Sequence, residues 1–276
     1  MISQDRLRVA RSLLFVPGHR ADRFAKAAGS GADAVVLDLE DAVGADRKDE
    51  ARRNVRDWLA DGQDAVVRCN GVESPWFDGD MAMLELFDCA VMVPKVNGPD
   101  DVHAVGERLT ARSRVMPLLE TARGILAARE ICKSPTAIRA VFGNADLALE
   151  LGVDGADRAA LTAARQAVVL ASAAAGLPAP VDGVTLAVTD DDVLSADCAH
   201  GVVLGFGGKL CLHPRQVEGV NAAFSPTSEQ LQWAKEVLAA ADEHRGSISL
   251  VNGRVVGTPI IDQARRVLAR AEAIQN

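Results

Sequence analysis

Short apolar, β-branched runs recur along the chain at residues 13–16, 34–39, 65–69, 90–94, 114–119 and 139–142, near 180–184, and at 209–213. Between them lie segments rich in Ala and Arg, such as 23–28, 48–59, 100–109, 124–133 and 158–175, with apolar residues three or four apart. The first pattern predicts buried strands and the second amphipathic helices. Eight alternations of strand and helix predict a parallel sheet closed as a (β/α)8 TIM barrel. A doubly wound open sheet is the alternative, because the seventh strand signal is weak.

Past His213-Pro214 the pattern changes to helices without strands, over 227–244 and 260–274. The break between them, 247–259, reads as a β-ribbon, with Asn252-Gly253 between two apolar runs as its two-residue turn. The expected division is therefore a barrel over residues 1–220 and a C-terminal appendage over 221–276. Having little core of its own, the appendage is expected to pack on a neighbouring subunit.

Composition narrows the function classes. With 38 acidic against 30 basic residues and a net charge of −8, the chain repels phosphate backbones and anionic lipid, so neither nucleic acid nor a membrane is expected as a partner. The longest uncharged stretch, 166–181, is shorter than the roughly 20 apolar residues of a membrane span. Residues 1–11 are charged and lack the apolar region of a secretory signal. Five cysteines, at 69, 89, 132, 198 and 211, form no CxxC pair and suit free thiols in a reducing, cytoplasmic setting.

The C-terminal strand ends of a (β/α)8 barrel form its active-site face, and polar residues cluster there. Asp38, Glu40 and Asp41 follow strand 2, Arg68 and Asn70 strand 3, Lys95 strand 4, Glu120 strand 5, Asp146 strand 6, Asp182 strand 7 and His213 strand 8. Glu120 and Asp146, on adjacent strands, are the candidate ligands of Mg²⁺, which keeps water or substrate oxygens in its other positions. The alternative for each acid is to cap the helix that follows. Arg68 lies in an apolar strand and needs an anion, either a substrate carboxylate or enolate oxygen, or Asp38 or Glu40. Asp38 and Glu40 share a strand face and Asp41 opens the loop; with Arg68 they form the candidate catalytic set. Lys95 suits ion pairing better than a Schiff base, since nearby acids raise its pKa. His213 either carries a proton or closes the last strand. Phe206-Gly-Gly-Lys209 lacks the spacing of a P-loop.

These residues sit within longer motifs: Arg11-Ser-Leu-Leu-Phe-Val-Pro-Gly18, Leu37-Asp-Leu-Glu-Asp-Ala-Val43, Val67-Arg-Cys-Asn70, Pro94-Lys95, Leu119-Glu-Thr-Ala-Arg-Gly124, Phe142-Gly-Asn-Ala-Asp-Leu147, Gly207-Gly-Lys209 and Leu212-His-Pro214. Together they resemble the citrate lyase β-subunit branch of the HpcH/HpaI aldolase family. The resemblance implies an oligomeric barrel, a homotrimer or hexamer, and a Mg²⁺-dependent carbon–carbon lyase. Such an enzyme cleaves a citryl-, malyl- or citramalyl-type 3-hydroxyacyl thioester, on coenzyme A or an acyl carrier, to a 2-oxoacid and an acyl thioester. It implies Glu120 and Asp146 as metal ligands and Arg68 as the substrate-binding arginine. Lys95, Ala145, Leu147 and His213 complete the candidate substrate-binding set.

One position departs from that family. Relatives acting on malyl- or citramalyl-CoA place an acid/base Asp in the ribbon, in a pattern like Val-Asp-x-Pro, where this chain has Val255-Val-Gly-Thr-Pro259. Gly257 leaves that role to another acid, or points to a non-catalytic or carrier-dependent oxoacid-binding subunit. A metal-free aldolase working through Lys95 is the third reading.

Overall fold

The computed structural model describes residues 3–243, 249–251 and 254–275. Eight parallel strands close into a barrel in chain order: β1 Ser12–Pro17, β2 Ala34–Asp38, β3 Val66–Arg68, β4 Ala90–Val93, β5 Arg114–Leu119, β6 Val141–Phe142, β7 Val181–Asp182 and β8 Gly208–Cys211. The open-sheet alternative is excluded by the pairing of β1 with both β2 and β8.

Strand alternation sorts the side chains into two layers. Leu13, Val36, Val66, Met92, Met116, Leu118, Val141, Val181 and Leu210 fill the barrel interior. Leu14, Leu37, Val67, Val91, Val115, Phe142 and Cys211 point outward into the core shared with the helices. The N-terminal end of the barrel is closed by the helix Gln4–Val9. Buried Arg139 fixes that helix by donating from Nη1 to the carbonyls of Leu7 (3.0 Å) and Ala10 (2.6 Å), which have no partner within the short helix. The opposite end is left to polar groups.

Contacts divide the chain into two compact units, one ending at Phe224 and the other starting at Ser225. The second unit contains the helix Ser228–Glu243, antiparallel strands β9 Ser249–Val251 and β10 Arg254–Val256, and the helix Thr258–Gln275. Its buried apolar set is small: Ala234, Val237, Ala241, Val256, Ile261 and Ala264. The Asn252-Gly253 turn lies outside the described residues. Among the described residues no helix is long and apolar enough to cross a membrane.

Candidate active site

The register of β2 against β3 sets Asp38 beside Arg68, two residues beyond the inward-facing Val36 and Val66. Both polar side chains therefore point into the barrel mouth. Arg68 donates from Nε to Asp38 Oδ1 (2.7 Å) and from Nη2 to Asp38 Oδ2 (2.6 Å), a two-pronged pair. Its Nη1 lies 3.0 Å from Glu40 Oε2, and its guanidinium stacks 4.7 Å over the Phe15 ring. Burial opposes the Arg68 charge, but Asp38 and Glu40 more than offset it and hold the pKa above the ordinary arginine value. Asp38 also accepts from the backbone N–H groups of Glu40 (2.9 Å) and Ala42 (3.1 Å), so four donors saturate its carboxylate.

Glu40 reaches the other way and accepts from Lys95 Nζ, which is also 3.3 Å from Asp41 Oδ2. Burial raises the Glu40 pKa against the pull of Arg68 and Lys95. Asp41 is partly buried too, but Lys95 holds its pKa low. For Lys95, burial is outweighed by the Glu40 hydrogen bond and the charges of Glu40, Asp41 and Glu120, so the pKa rises and the ammonium persists. A Schiff base needs the free amine. Lys95 is the single non-glycine residue with positive φ among those described, at 52°. This turn at the end of β4 directs its N–H onto Glu120 Oε1 at 2.9 Å while its side chain points to Glu40.

Glu120 is 3% exposed at the tip of β5. It is not the cap of the following helix: Thr121 caps Ala122–Leu126, its side chain accepting from Gly124 N. Asp146 is no cap either, lying in the first turn of Asn144–Leu151 behind the N-cap Gly143. Gly143, the N-cap of that helix, makes room for Glu120. A Cβ there would come within 2.5 Å of both Cβ and Oε2 of Glu120, so only a glycine lets this carboxylate in. Burial and the negative charges of Asp146 and Glu40 push Glu120 up to about 8, against Arg68 and the Lys95 N–H. Asn144 supports the same loop, donating to Val184 O (3.0 Å) and accepting from Val184 N (2.8 Å).

Two cavities open at this end. An inner chamber of about 240 Å³ is lined by Asp38, Arg68, Glu120, Asp146 and Ala145 with several apolar side chains. An outer cavity of about 610 Å³ is lined by Glu40, Lys95, Lys48, Asn70, Trp76 and Arg123 among others. Asp41 lines both. Behind the outer wall, Lys48 is buried and donates to the carbonyls of Leu39 (2.7 Å) and Glu40 (2.8 Å) and to Asn70 Oδ1 (2.6 Å), fixing the loop that carries Glu40. Asn70 is in turn held by buried Asp80, its Nδ2 donating at 2.6 Å.

The structure thus gathers Asp38, Glu40, Asp41, Arg68, Lys95, Glu120, Asp146 and Ala145 at one mouth. Leu147 is packed in the helix-facing core, and His213 is exposed, its Nδ1 accepting from Arg215 N at 3.2 Å; neither lines either of these two cavities. Asp182 corrects the strand-end expectation. One residue past inward-facing Val181, it points to the helix side, where it binds buried Arg165 (2.9 Å) and Lys209. Phe15, Gly143 and Asn144 had no chemical signal in sequence, although Phe15 shares the inward phase of Leu13.

The model of the HpcH/HpaI aldolase/citrate lyase family matches residues 11–214, which carry every group of this mouth. A (3S)-malyl-CoA thioesterase of Cereibacter sphaeroides is 38% identical over 96% of this chain and 95% of its own. The mitochondrial citramalyl-CoA lyase of Rattus norvegicus is 30% identical over 96% of this chain and 87% of its own. Among solved structures, protein CitE from Mycobacterium tuberculosis, in complex with magnesium, acetoacetate and coenzyme A, superposes with a TM-score of 0.84 at 34% identity, covering 96% of this chain and 99% of that one. By the extent of these matches, the chain belongs to the HpcH/HpaI aldolase/citrate lyase family.

Proposed function

We propose that the protein is a Mg²⁺-dependent carbon–carbon lyase that cleaves a 3-hydroxyacyl thioester to a 2-oxoacid and an acyl thioester. The observation that carries this reading is the pair of carboxylates of Glu120 and Asp146, the first deeply buried, lining one chamber with Arg68. Mg²⁺ fits these residues. Glu120 and Asp146 offer hard oxygen donors on one chamber, and water and substrate oxygens would take the other positions of such an ion. When bound, the ion polarises the oxoacid oxygens as a Lewis acid.

The remaining steps fall to side chains. Arg68, immobilised by Asp38 and Phe15, presents its free N–H groups to the oxyanion that develops as the carbon–carbon bond breaks. The substrate hydroxyl gives its proton to a carboxylate while the electrons of the breaking bond pass to the acyl thioester as its enolate. Return of a proton to the enolate carbon completes the reaction. Saturated Asp38 is a positioning group, so proton transfer rests with Glu40 and Asp41. Lys95 and Ala145 flank the substrate. Supporting the proposal, two relatives are named for malyl-CoA and citramalyl-CoA, thioesters of the type it requires, and a third is in complex with coenzyme A.

A second reading, hydrolysis of the thioester itself, is favoured by the 38% identity to a malyl-CoA thioesterase and by Gly257, which offers no ribbon acid to protonate an enolate. One experiment separates the two. The protein is incubated with malyl-, citramalyl- and citryl-CoA, with and without Mg²⁺, and both oxoacid and free thiol are measured. A lyase releases oxoacid and no thiol; a thioesterase releases thiol and no oxoacid. Release of neither leaves a binding subunit. We further propose that residues 221–276 pack on a neighbouring subunit of a homotrimer or hexamer, supported by their small core. A cytoplasmic location is supported by five buried, unpaired cysteines.

A further inference from the structure

Three charged side chains with no part in the chemistry above are buried together on the helix side of the barrel. Asp182 ends β7 and Lys209 lies opposite it in register on β8, each 1% exposed. Arg165, on the helix Thr162–Ala174, donates from Nε to Asp182 Oδ1 at 2.9 Å, and Lys209 Nζ stands 3.4 Å from Asp182 Oδ2. Apolar side chains of similar volume are often as stable as a buried ion cluster, so the contacts this one makes beyond itself matter.

Those contacts lead to the loop that carries Asp146. Lys209 Nζ donates to Gly183 O at 2.8 Å, and the next residue, Val184, exchanges two hydrogen bonds with the Asn144 amide. Gly183 packs so closely on that amide that a Cβ would lie 2.1 Å from Asn144 Oδ1. On the helix side the Arg165 guanidinium sits 4.9 Å over the Phe142 ring. The segment from Phe142 to Asn144 is thus gripped at both ends, and Asp182 ties the two grips together. Backbone pairing does little here, since β6 and β7 share the single pair Val141 and Val181. Asn144 opens the helix whose third residue is Asp146, so its seat fixes that of the carboxylate. Resting on the Mg²⁺ reading of Glu120 and Asp146, we propose that Lys209, Asp182 and Arg165 are positioning residues. Through Gly183, Val184 and Asn144 they set where the Asp146 carboxylate stands, although none of the three lines either cavity at the mouth.

The test uses the full chain and two substitutions outside the chamber. Lys209→Met removes the bond to Gly183 O and leaves Asp182 its Arg165 partner. Gly183→Ala removes no polar group and drives a methyl into the Asn144 amide. Val168→Ala, a core truncation on the helix that carries Arg165, is the control for lost stability. Mn²⁺, standing in for Mg²⁺, is titrated with saturating pyruvate or freshly prepared oxaloacetate, free ion being counted by electron paramagnetic resonance. Amide hydrogen exchange is followed on the metal-free proteins. Both substitutions are expected to weaken Mn²⁺ binding by at least about tenfold and to speed exchange across residues 142–147. Val168→Ala should lower the unfolding temperature and do neither. Mn²⁺ affinity within about twofold of wild type in a folded Lys209→Met or Gly183→Ala protein would overturn the proposal and leave the metal reading intact. So would an equal loss of affinity in Val168→Ala. A wild-type protein that takes up no Mn²⁺ with either oxoacid would overturn the metal reading, and this proposal with it.

Discussion

Glu120 makes the site's dependence on pH calculable. Its carboxyl, held near 8 by burial and by Asp146 and Glu40, has an ordinary value of 4.5. At pH 7 a group of that pKa is about nine-tenths protonated, so a cation must displace close to one proton to bind. Apparent Mg²⁺ affinity, measured with a saturating 2-oxoacid, should rise about tenfold from pH 7 to pH 9 and then level off. Calorimetry at pH 7 in two buffers of different ionisation enthalpy should report release of roughly one proton per ion. The same shift leaves a mark on the metal-free protein. Below pH 4.5 folded and unfolded chains both hold this proton; between 4.5 and about 8 only the folded chain does. Stability from this group is therefore fully present at the acid end and is lost as pH rises through 8, by an amount of the order of a few kcal/mol. Glu120→Gln should flatten that slope, make the metal-free protein more stable at pH 8, and abolish metal-dependent oxoacid binding. Affinity that stays flat from pH 7 to 9 with no buffer-dependent heat would refute the reasoning.

Three further substitutions probe the same mouth. Gly143→Ala forces its Cβ against Glu120, which cannot retreat from the Lys95 N–H without losing it; Mg²⁺-dependent activity should fall by at least about tenfold with the fold retained by circular dichroism. Arg68→Lys replaces a fork that binds both Asp38 oxygens by a single ammonium, and turnover should drop by about 10²–10³ while Mg²⁺ binding persists; wild-type kinetics would make Arg68 purely structural. Gly257→Asp meets no strain, because Gly257 has no positive φ and a Cβ there has only Pro259 Cδ near it, at 4.0 Å. If the ribbon reaches a neighbour's site, cleavage of malyl- or citramalyl-CoA should rise by about 10²–10⁴, and an Asp variant no faster than wild type would locate the proton carrier in Glu40 or Asp41.

The barrel was legible because each strand must be apolar on both faces, giving short continuous runs that a chain cannot hide; even the two-residue strands β6 and β7 left a trace. The site was legible to the extent that charge in an apolar strand is costly, which singles out Arg68, and that acids directly follow strands at Asp38, Glu120 and Asp146. What sequence could not rank was the division of labour among these acids. Their spacing predicts a shared strand face for Asp38 and Glu40, but β2 ends at Asp38 and Glu40 lies in the loop beyond it, so one is saturated by four donors and the other spans Arg68 and Lys95. That difference arises from backbone N–H groups of the loop after β2 and from a positive φ at Lys95, neither of which a residue type announces. Asp182 shows the converse failure: it ends a strand like its neighbours, but a one-residue change of phase turns it from the mouth to the helix layer. Phase relative to the inward residue two positions earlier is what separates Asp38 and Arg68 from Asp182. The same rule puts Phe15 under the guanidinium, where an aromatic ring that looked like core in the sequence joins Asp38 in fixing the position of Arg68.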